Sequence, residues 1–229
     1  MPTALITGAS RGLGAEIARQ LAPTHDLLLG GRPSAELDAL AMELDGASTF
    51  AVELTDHDEV YAATEAISSL DVLVHNAGIA SSLETIEDTP ADEWREILEV
   101  NVIAAAELTR VLLPALRSVQ GHVVFINSGA GRRVNAGWTP YAASKFALRA
   151  LADGLRAEEP ELRVTSIYPG RIDTDMQRDI VAREGADYDP TKFLSTATVA
   201  RAVVNAVKTP ADAHPEEIVL RPTGRRAGS

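Results

Sequence analysis

Tyr141 and Lys145 lie four residues apart in a stretch with helical apolar spacing, and Ser128 precedes the tyrosine by thirteen positions. On a helix, residues four apart share a face, with Cβ atoms about 5–6 Å from one another. A phenol can give or take a proton, but it titrates near pH ~10, and lowering that to near neutrality requires about 4 kcal/mol. An ammonium about 4–5 Å away at an effective dielectric near 20 supplies on the order of 3–4 kcal/mol, sufficient where desolvation is modest. A serine hydroxyl beside the phenol could donate a second hydrogen bond to an oxygen on which negative charge develops. Each residue also has an ordinary explanation: a half-buried packing tyrosine, a solvated lysine, a serine at a strand end.

A second group is Thr7-Gly8-Ala9-Ser10-Arg11-Gly12-Leu13-Gly14, between an apolar run and the first helical pattern. Glycines let the backbone turn tightly and approach a pyrophosphate, while the amides at the following helix N-terminus receive the anion. The glycines fall at the first, fifth and seventh positions from Gly8, which differs from the G-x-G-x-x-G dinucleotide fingerprint. Where such folds carry an acidic residue for the ribose of NAD, this chain reads Leu29-Gly30-Gly31-Arg32. No carboxylate stands there to repel a 2′-phosphate, and Arg11 and Arg32 could hold one by charge-assisted hydrogen bonds. The expected cofactor is NADP(H) rather than NAD(H).

Short apolar runs at 4–6, 26–29, 49–52, 72–75, 123–126, 164–168 and 218–220 predict buried strands. Helical spacing occupies 13–21, 35–44, 59–67, 94–116 and 141–155. Alternation of strand and helix predicts a doubly wound parallel sheet, an α/β Rossmann-like single domain over 1–229 with about seven strands flanked by helices. The polar segment 173–195 interrupts the rhythm and is expected to cover a ligand; 222–229, rich in Arg and Gly, reads as a frayed tail without function.

A net charge of −12 argues against nucleic acid and anionic membranes as partners. The absence of cysteine excludes disulfides, thiolate nucleophiles and Cys-ligated zinc, and no metal site is expected. No apolar run approaches the roughly 20 residues of a membrane span, and there is no basic leader, so a cytoplasmic protein is expected.

Taken together, the glycine turn, Asn76-Ala77-Gly78 after the fourth strand, Ser128 after the fifth, Tyr141 with Lys145, and Pro169, Gly170 and Thr174 after the sixth resemble the short-chain dehydrogenase/reductase (SDR) family, in its compact type, over nearly the whole chain. The resemblance implies hydride transfer between NADP(H) and a small-molecule carbonyl or alcohol, with Asn101, Ser128, Tyr141 and Lys145 as the catalytic four. It implies that Lys145 also holds the nicotinamide ribose and that Asn101 positions a water linking Lys145 to solvent. Cofactor contacts carried over are Gly8, Ser10, Arg11, Gly12, Leu13, Gly14, Arg32, Glu53, Leu54, Asn76, Ala77, Gly78, Tyr141, Lys145, Pro169, Gly170, Ile172 and Thr174. Substrate contacts are expected at Ser128, Ala130, Trp138 and Met176, with Arg132, Arg133 and Tyr188 as further candidates. The sequence departs from the family at Glu53, where an aspartate is usual, at His75 for asparagine and at Asn127 for serine. A homodimer or homotetramer through the two long helices is implied. The rival reading, a non-catalytic NADP(H) sensor or scaffold, usually carries a damaged catalytic set, whereas all four residues are present here.

Overall fold

Strand β1 (Thr3–Thr7) alternates its side chains between two cores: Ala4 and Ile6 face one, Leu5 the other, and all three are fully buried. Residues buried on both faces are what a central parallel strand requires. The computed structural model describes residues 1–210 and 212–223; the last six residues of the expected 222–229 tail lie outside these. The remaining strands are β2 (Asp26–Gly31), β3 (Ala47–Ala51), β4 (Val72–His75), β5 (His122–Ile126), β6 (Arg163–Pro169) and β7 (Glu217–Leu220). All seven are parallel, in the order β3-β2-β1-β4-β5-β6-β7. This is the expected doubly wound sheet, and its order reverses between β1 and β4, which opens a crevice at the strands' carboxyl ends.

Helices α1 (Gly12–Leu21) and α2 (Ala35–Glu43) cover one face together with α8 (Thr196–Val207), through Ile17, Leu21, Leu37, Val199 and Val203. Helices α3 (His57–Thr64), α5 (Ala104–Arg117) and α6 (Thr139–Glu158) cover the other, through Val60, Leu108, Leu112, Leu148 and Leu155. Burying a side chain of this size contributes about 1.5–3 kcal/mol, so the two apolar layers hold the sheet between them and fix where its strand ends point.

Three features differ from the sequence reading. The helix expected over 94–116 is two helices, α4 (Ala91–Leu98) and α5, joined through a π-helical turn, Glu99–Ile103. The segment 173–195 contains a helix, α7 (Asp175–Arg183), because Gln177, Ile180 and Val181 recur at helical spacing and are buried. Helix α8 was not anticipated: its sequence, TATVARAVVNAV, is rich in valine, whose β-branching favours strands, and the packing of Val199, Val203 and Val207 against the core overrides that preference. Among the described residues, no helix is long and apolar enough to cross a membrane, and no group of three or more His, Asp and Glu side chains is placed to hold a metal ion.

Candidate active site

The crevice is a cleft of about 1530 Å³ at the carboxyl ends of the strands. The glycine turn forms one end. Gly8 and Gly12 adopt φ of +65° and +59°, in the left-handed region that favours glycine. A Cβ on Gly14 would lie 2.1 Å from the Gly8 carbonyl oxygen, so the helix can meet the turn only with hydrogen at that position. The turn is clamped from the neighbouring strand: Asn76 Nδ2 donates to the carbonyls of Thr7 and Gly8 at 3.0 and 3.1 Å, and Thr7 Oγ1 accepts from the amides of Asn76 and Ala77.

Helices α2, α3, α7 and α8 are capped by the side chains of Ser34, Asp56, Thr174 and Ser195. Helix α1, which opens on the cleft at Arg11, has no side-chain cap. Its first-turn amides are therefore available to an anion, with the positive end of the helix dipole behind them. Arg11 and Arg32 line the same end, exposed and in no ion pair among the described residues. This donor set fits the phosphates of a dinucleotide. Ser10, Leu13, Glu53 and Leu54 line the cleft here too; Glu53 accepts from the amide and hydroxyl of Thr55 at 3.3 and 3.1 Å, so part of its acceptor capacity is already used.

At the other end, β5 terminates in Asn127 and Ser128. Ser128 caps a short 3₁₀ turn (Gly129–Gly131), its Oγ accepting from Ala130 N at 3.1 Å. Tyr141 and Lys145, on α6, enter the cleft beside it. Lys145 is buried, 5 % exposed, and its Nζ donates to the Ile126 carbonyl at 3.0 Å, 5.7 Å from the centre of the Tyr141 ring. Burial pulls the Lys145 ammonium down to about 8. It also pushes the Tyr141 phenol up, and the Ser128 hydroxyl only partly offsets this. In the protein alone, burial at both groups acts against the expected lowering of the tyrosine by the lysine, whose ammonium is engaged with a backbone carbonyl.

Asn101 stands in the π-turn, 2 % exposed, behind the cleft wall rather than in it. Its Oδ1 accepts from Ile79 N at 2.8 Å, and its Nδ2 donates to Ile79 O and to Ser144 Oγ, both at 3.0 Å. Ser144 Oγ in turn donates to the Tyr141 carbonyl at 2.7 Å. The asparagine thus ties the turn to the helix that carries Tyr141 and Lys145. With both Nδ2 protons occupied, its side chain retains only Oδ1 acceptor capacity for a water. A Cβ on Gly78 would fall 2.9 Å from Asn101 Oδ1 and 3.8 Å from Lys145 Nζ, so the bare glycine leaves these two groups room to face one another.

Ala77, Gly78, Pro169, Gly170, Ile172, Thr174, Ala130, Trp138, Met176 and Arg133 also line the cleft, with Trp138 edge-on to Tyr141 at 5.8 Å between ring centroids. Gly14 joins Asn101 behind the wall, supporting it by close packing. Two substrate candidates are corrected. Arg132 pairs with Glu217 at 3.0 Å and lies over the Tyr168 ring, while Tyr188 is hydrogen-bonded to Asp173 and covered by Arg178; neither lines the cleft.

Asn127, one of the departures from the family, is central to the site. Its Oδ1 accepts from the Ser128 amide at 2.8 Å and its Nδ2 donates to the Lys145 carbonyl at 3.1 Å, so one side chain spaces two of the expected catalytic residues. Arg221, also in the cleft, was missed because nothing in its local sequence marks it.

The short chain dehydrogenase family model matches residues 2–185, most of the chain. The chain belongs to that family. A mouse relative, dehydrogenase/reductase SDR family member 7B, is 37 % identical over 89 % of this chain and 69 % of its own. Benzil reductase ((S)-benzoin forming) of Saccharomyces cerevisiae is 34 % identical over 77 % of this chain and 73 % of its own. Among solved structures, an alcohol dehydrogenase from the archaeon Thermococcus sibiricus, complexed with 5-hydroxy-NADP, superposes with a TM-score of 0.88 at 28 % identity, covering all of both chains. The family's common character is that of an oxidoreductase acting between CH–OH and C=O.

Proposed function

We propose that this dehydrogenase transfers a hydride between NADP(H) and a small carbonyl or alcohol, with Tyr141 as the acid/base. The observation that carries the reading is the convergence of Ser128, Tyr141 and Lys145 at one end of a cleft whose other end is an uncapped helix N-terminus with two arginines that form no ion pair among the described residues. The NADP-bound structural relative supports the cofactor class.

A bound nicotinamide supplies or accepts the hydride. Arg11 and Arg32 would hold the 2′-phosphate, the amides of 10–14 the pyrophosphate, and Pro169 to Thr174 the nicotinamide end. Tyr141 then gives its phenolic proton to the substrate oxygen in reduction, and Ser128 donates a hydrogen bond to the same oxygen as charge develops. At neutral pH an ammonium titrating near 8 is mostly charged, so Lys145 stands as a fixed cation beside the phenol. Asn101 and Asn127 set the spacing of these groups from behind. The segment 173–195 would cover the substrate: helix α7 lines the cleft through Met176 and Ile180, and the bridge between Ile172 and Leu194 ties the ends of the segment together, which supports that reading.

The test is oxidation of NADPH and NADH followed at 340 nm over a panel of ketones, aldehydes and quinones. NADPH should be preferred by about tenfold or more, the value of one charge-assisted bond, and Arg32→Leu should remove the preference. Tyr141→Phe should reduce turnover by about 10²–10⁴-fold while leaving NADPH binding intact. Preference for NADH, or turnover that survives Tyr141→Phe, would overturn the proposal.

A further inference from the structure

The cleft carries cations at both ends, and those at the substrate end have no assigned task. Arg221 follows β7, and the chain there is seated in space that two glycines leave open. A Cβ on Gly129 would lie 2.5 Å from Arg221 Nη1, and one on Gly170 would lie 2.7 Å from Pro222 Cδ. Gly170 N also donates to the Leu220 carbonyl at 2.8 Å, fixing the strand end that presents the arginine. The guanidinium therefore rests against the residue that follows Ser128. Arg133, also lining the cleft, projects from the same 3₁₀ corner.

Neither arginine forms an ion pair among the described residues, and both are exposed. Their neighbours are paired: Arg132 and Arg149 share Glu217, at 3.0 and 3.4 Å, and Arg171 holds Glu184 at 2.6 Å. None of the cleft's carboxylates, Asp175 and Glu96 included, reaches Arg133 or Arg221. In a chain of net charge −12, two cations beside the expected reacting centre with no ion pair among the described residues are a local reversal of sign. A guanidinium presents a planar fork of donors that matches a carboxylate.

We infer that Arg221, assisted by Arg133, selects carbonyl substrates that carry a carboxylate, such as oxo acids and the corresponding hydroxy acids. The inference rests on the reductase reading above and names the substrate class of that same site. The carboxylate binds the fork beside Gly129, and the carbonyl oxygen lies toward Ser128 and Tyr141. Arg221 is a specificity residue: it orients the substrate and takes no proton.

The experiment compares 4-oxopentanoate and 3-oxobutanoate with their methyl esters as substrates of the full chain with NADPH. Wild type should favour the acids in kcat/KM, and Arg221→Leu should lower the acid-to-ester ratio by about tenfold to a hundredfold, through KM, with the KM for NADPH unchanged. Equal use of acid and ester by wild type would overturn the inference and leave the reductase reading standing. An unchanged ratio with a raised KM for NADPH would also overturn it, since Arg221 would then serve the dinucleotide. A second measurement is independent of turnover: calorimetric titration of 4-oxopentanoate into protein saturated with NADP+. If no compound is reduced, binding that Arg221→Leu weakens at least tenfold supports the inference while the reductase reading falls; absence of such binding overturns both.

Discussion

Lys145 shows what a reactive group costs the fold. An amine whose ordinary value of 10.5 is pulled to about 8 by burial is charged at pH 7 in both the folded and unfolded states, so folding bears the full desolvation of the ammonium, about 3 kcal/mol. The sign follows from proton counts. Between pH 8 and 10.5 the unfolded chain binds more protons than the folded one, so stability recovers as pH rises through that window, and below pH 8 the penalty is constant. Lys145→Met keeps the apolar stem and removes the charge, at the expense of the charged hydrogen bond to Ile126 O, about 1.5–3 kcal/mol. The variant should be inactive yet more stable at pH 7 by up to about 1.5 kcal/mol, an advantage that is gone by pH 10. Urea unfolding at pH 7 and pH 10 tests this; a variant destabilised equally at both would show that the lysine is a net structural asset. Tyr141 and Lys145 were legible as a pair from their helical spacing, but the direction of their electrostatics was not. Spacing gives proximity, whereas the balance between attraction and desolvation depends on walls contributed by β5 and the turn after β4.

Helices and turns set those walls, and the junction of the glycine turn with α1 is the tightest of them. The bare Cα of Gly14 meets the Gly8 carbonyl, and the same Cβ position would lie 2.6 Å from Asn76 Nδ2. Gly14→Ala must therefore push α1 off the turn, away from the strand that Asn76 clamps. The expected cost is about 1–3 kcal/mol, as for other overpacked sites, with a larger proportional loss in dinucleotide affinity because the first-turn amides move with the helix. Thermal unfolding and fluorescence titration with NADPH would measure the two together; an affinity unchanged in a folded Gly14→Ala protein would count against the phosphate site. This junction was readable because glycine spacing is local. The π-turn at 99–103 was not, since the apolar pattern runs through it without a break, and the extra residue there is stabilised by bonds from Asn101 to Ile79 and Ser144, twenty-two and forty-three positions away.

At the scale of the whole molecule, the sheet order and the cleft at the strand ends follow from the alternation of elements, while Arg221 and Asn127 gain meaning only once distant strands are brought side by side. The same assembly buries His75 and His122 on the central strands β4 and β5. His75 Nε2 lies 2.8 Å from Thr109 Oγ1, whose own proton goes to Ala105 O, so the ring must donate from Nε2. His122 does likewise to Thr165, whose proton goes to Pro215 O, and its Nδ1 is buried with no partner among the described residues. A second proton on His122 would therefore find no acceptor, and desolvation holds both rings down to about 3 from the ordinary 6.5. Both are neutral in the fold, so their contribution to stability is complete well above pH 6.5 and is lost as pH falls, because the unfolded chain protonates two rings that the fold keeps neutral; burial lowers His25 and His214 as well, which adds in the same direction. The slope approaches about 2.7 kcal/mol per pH unit from half that value at pH 6.5, so the loss from this pair between pH 6.5 and 5 is about 3 kcal/mol, a large share of the stability of a typical domain. That interval lies above the ordinary carboxylate range, so the histidines dominate it. His75→Asn, which restores the residue usual in the family, should remove about half of the loss due to this pair, about 1.5 kcal/mol between pH 6.5 and 5. Urea midpoints of wild type and variant at pH 6.5 and 5 provide the comparison: an equal fall in both proteins would mean that His75 is already protonated in the fold, and that its stack on Phe125, 4.8 Å between ring centroids, carries a charge rather than a neutral ring.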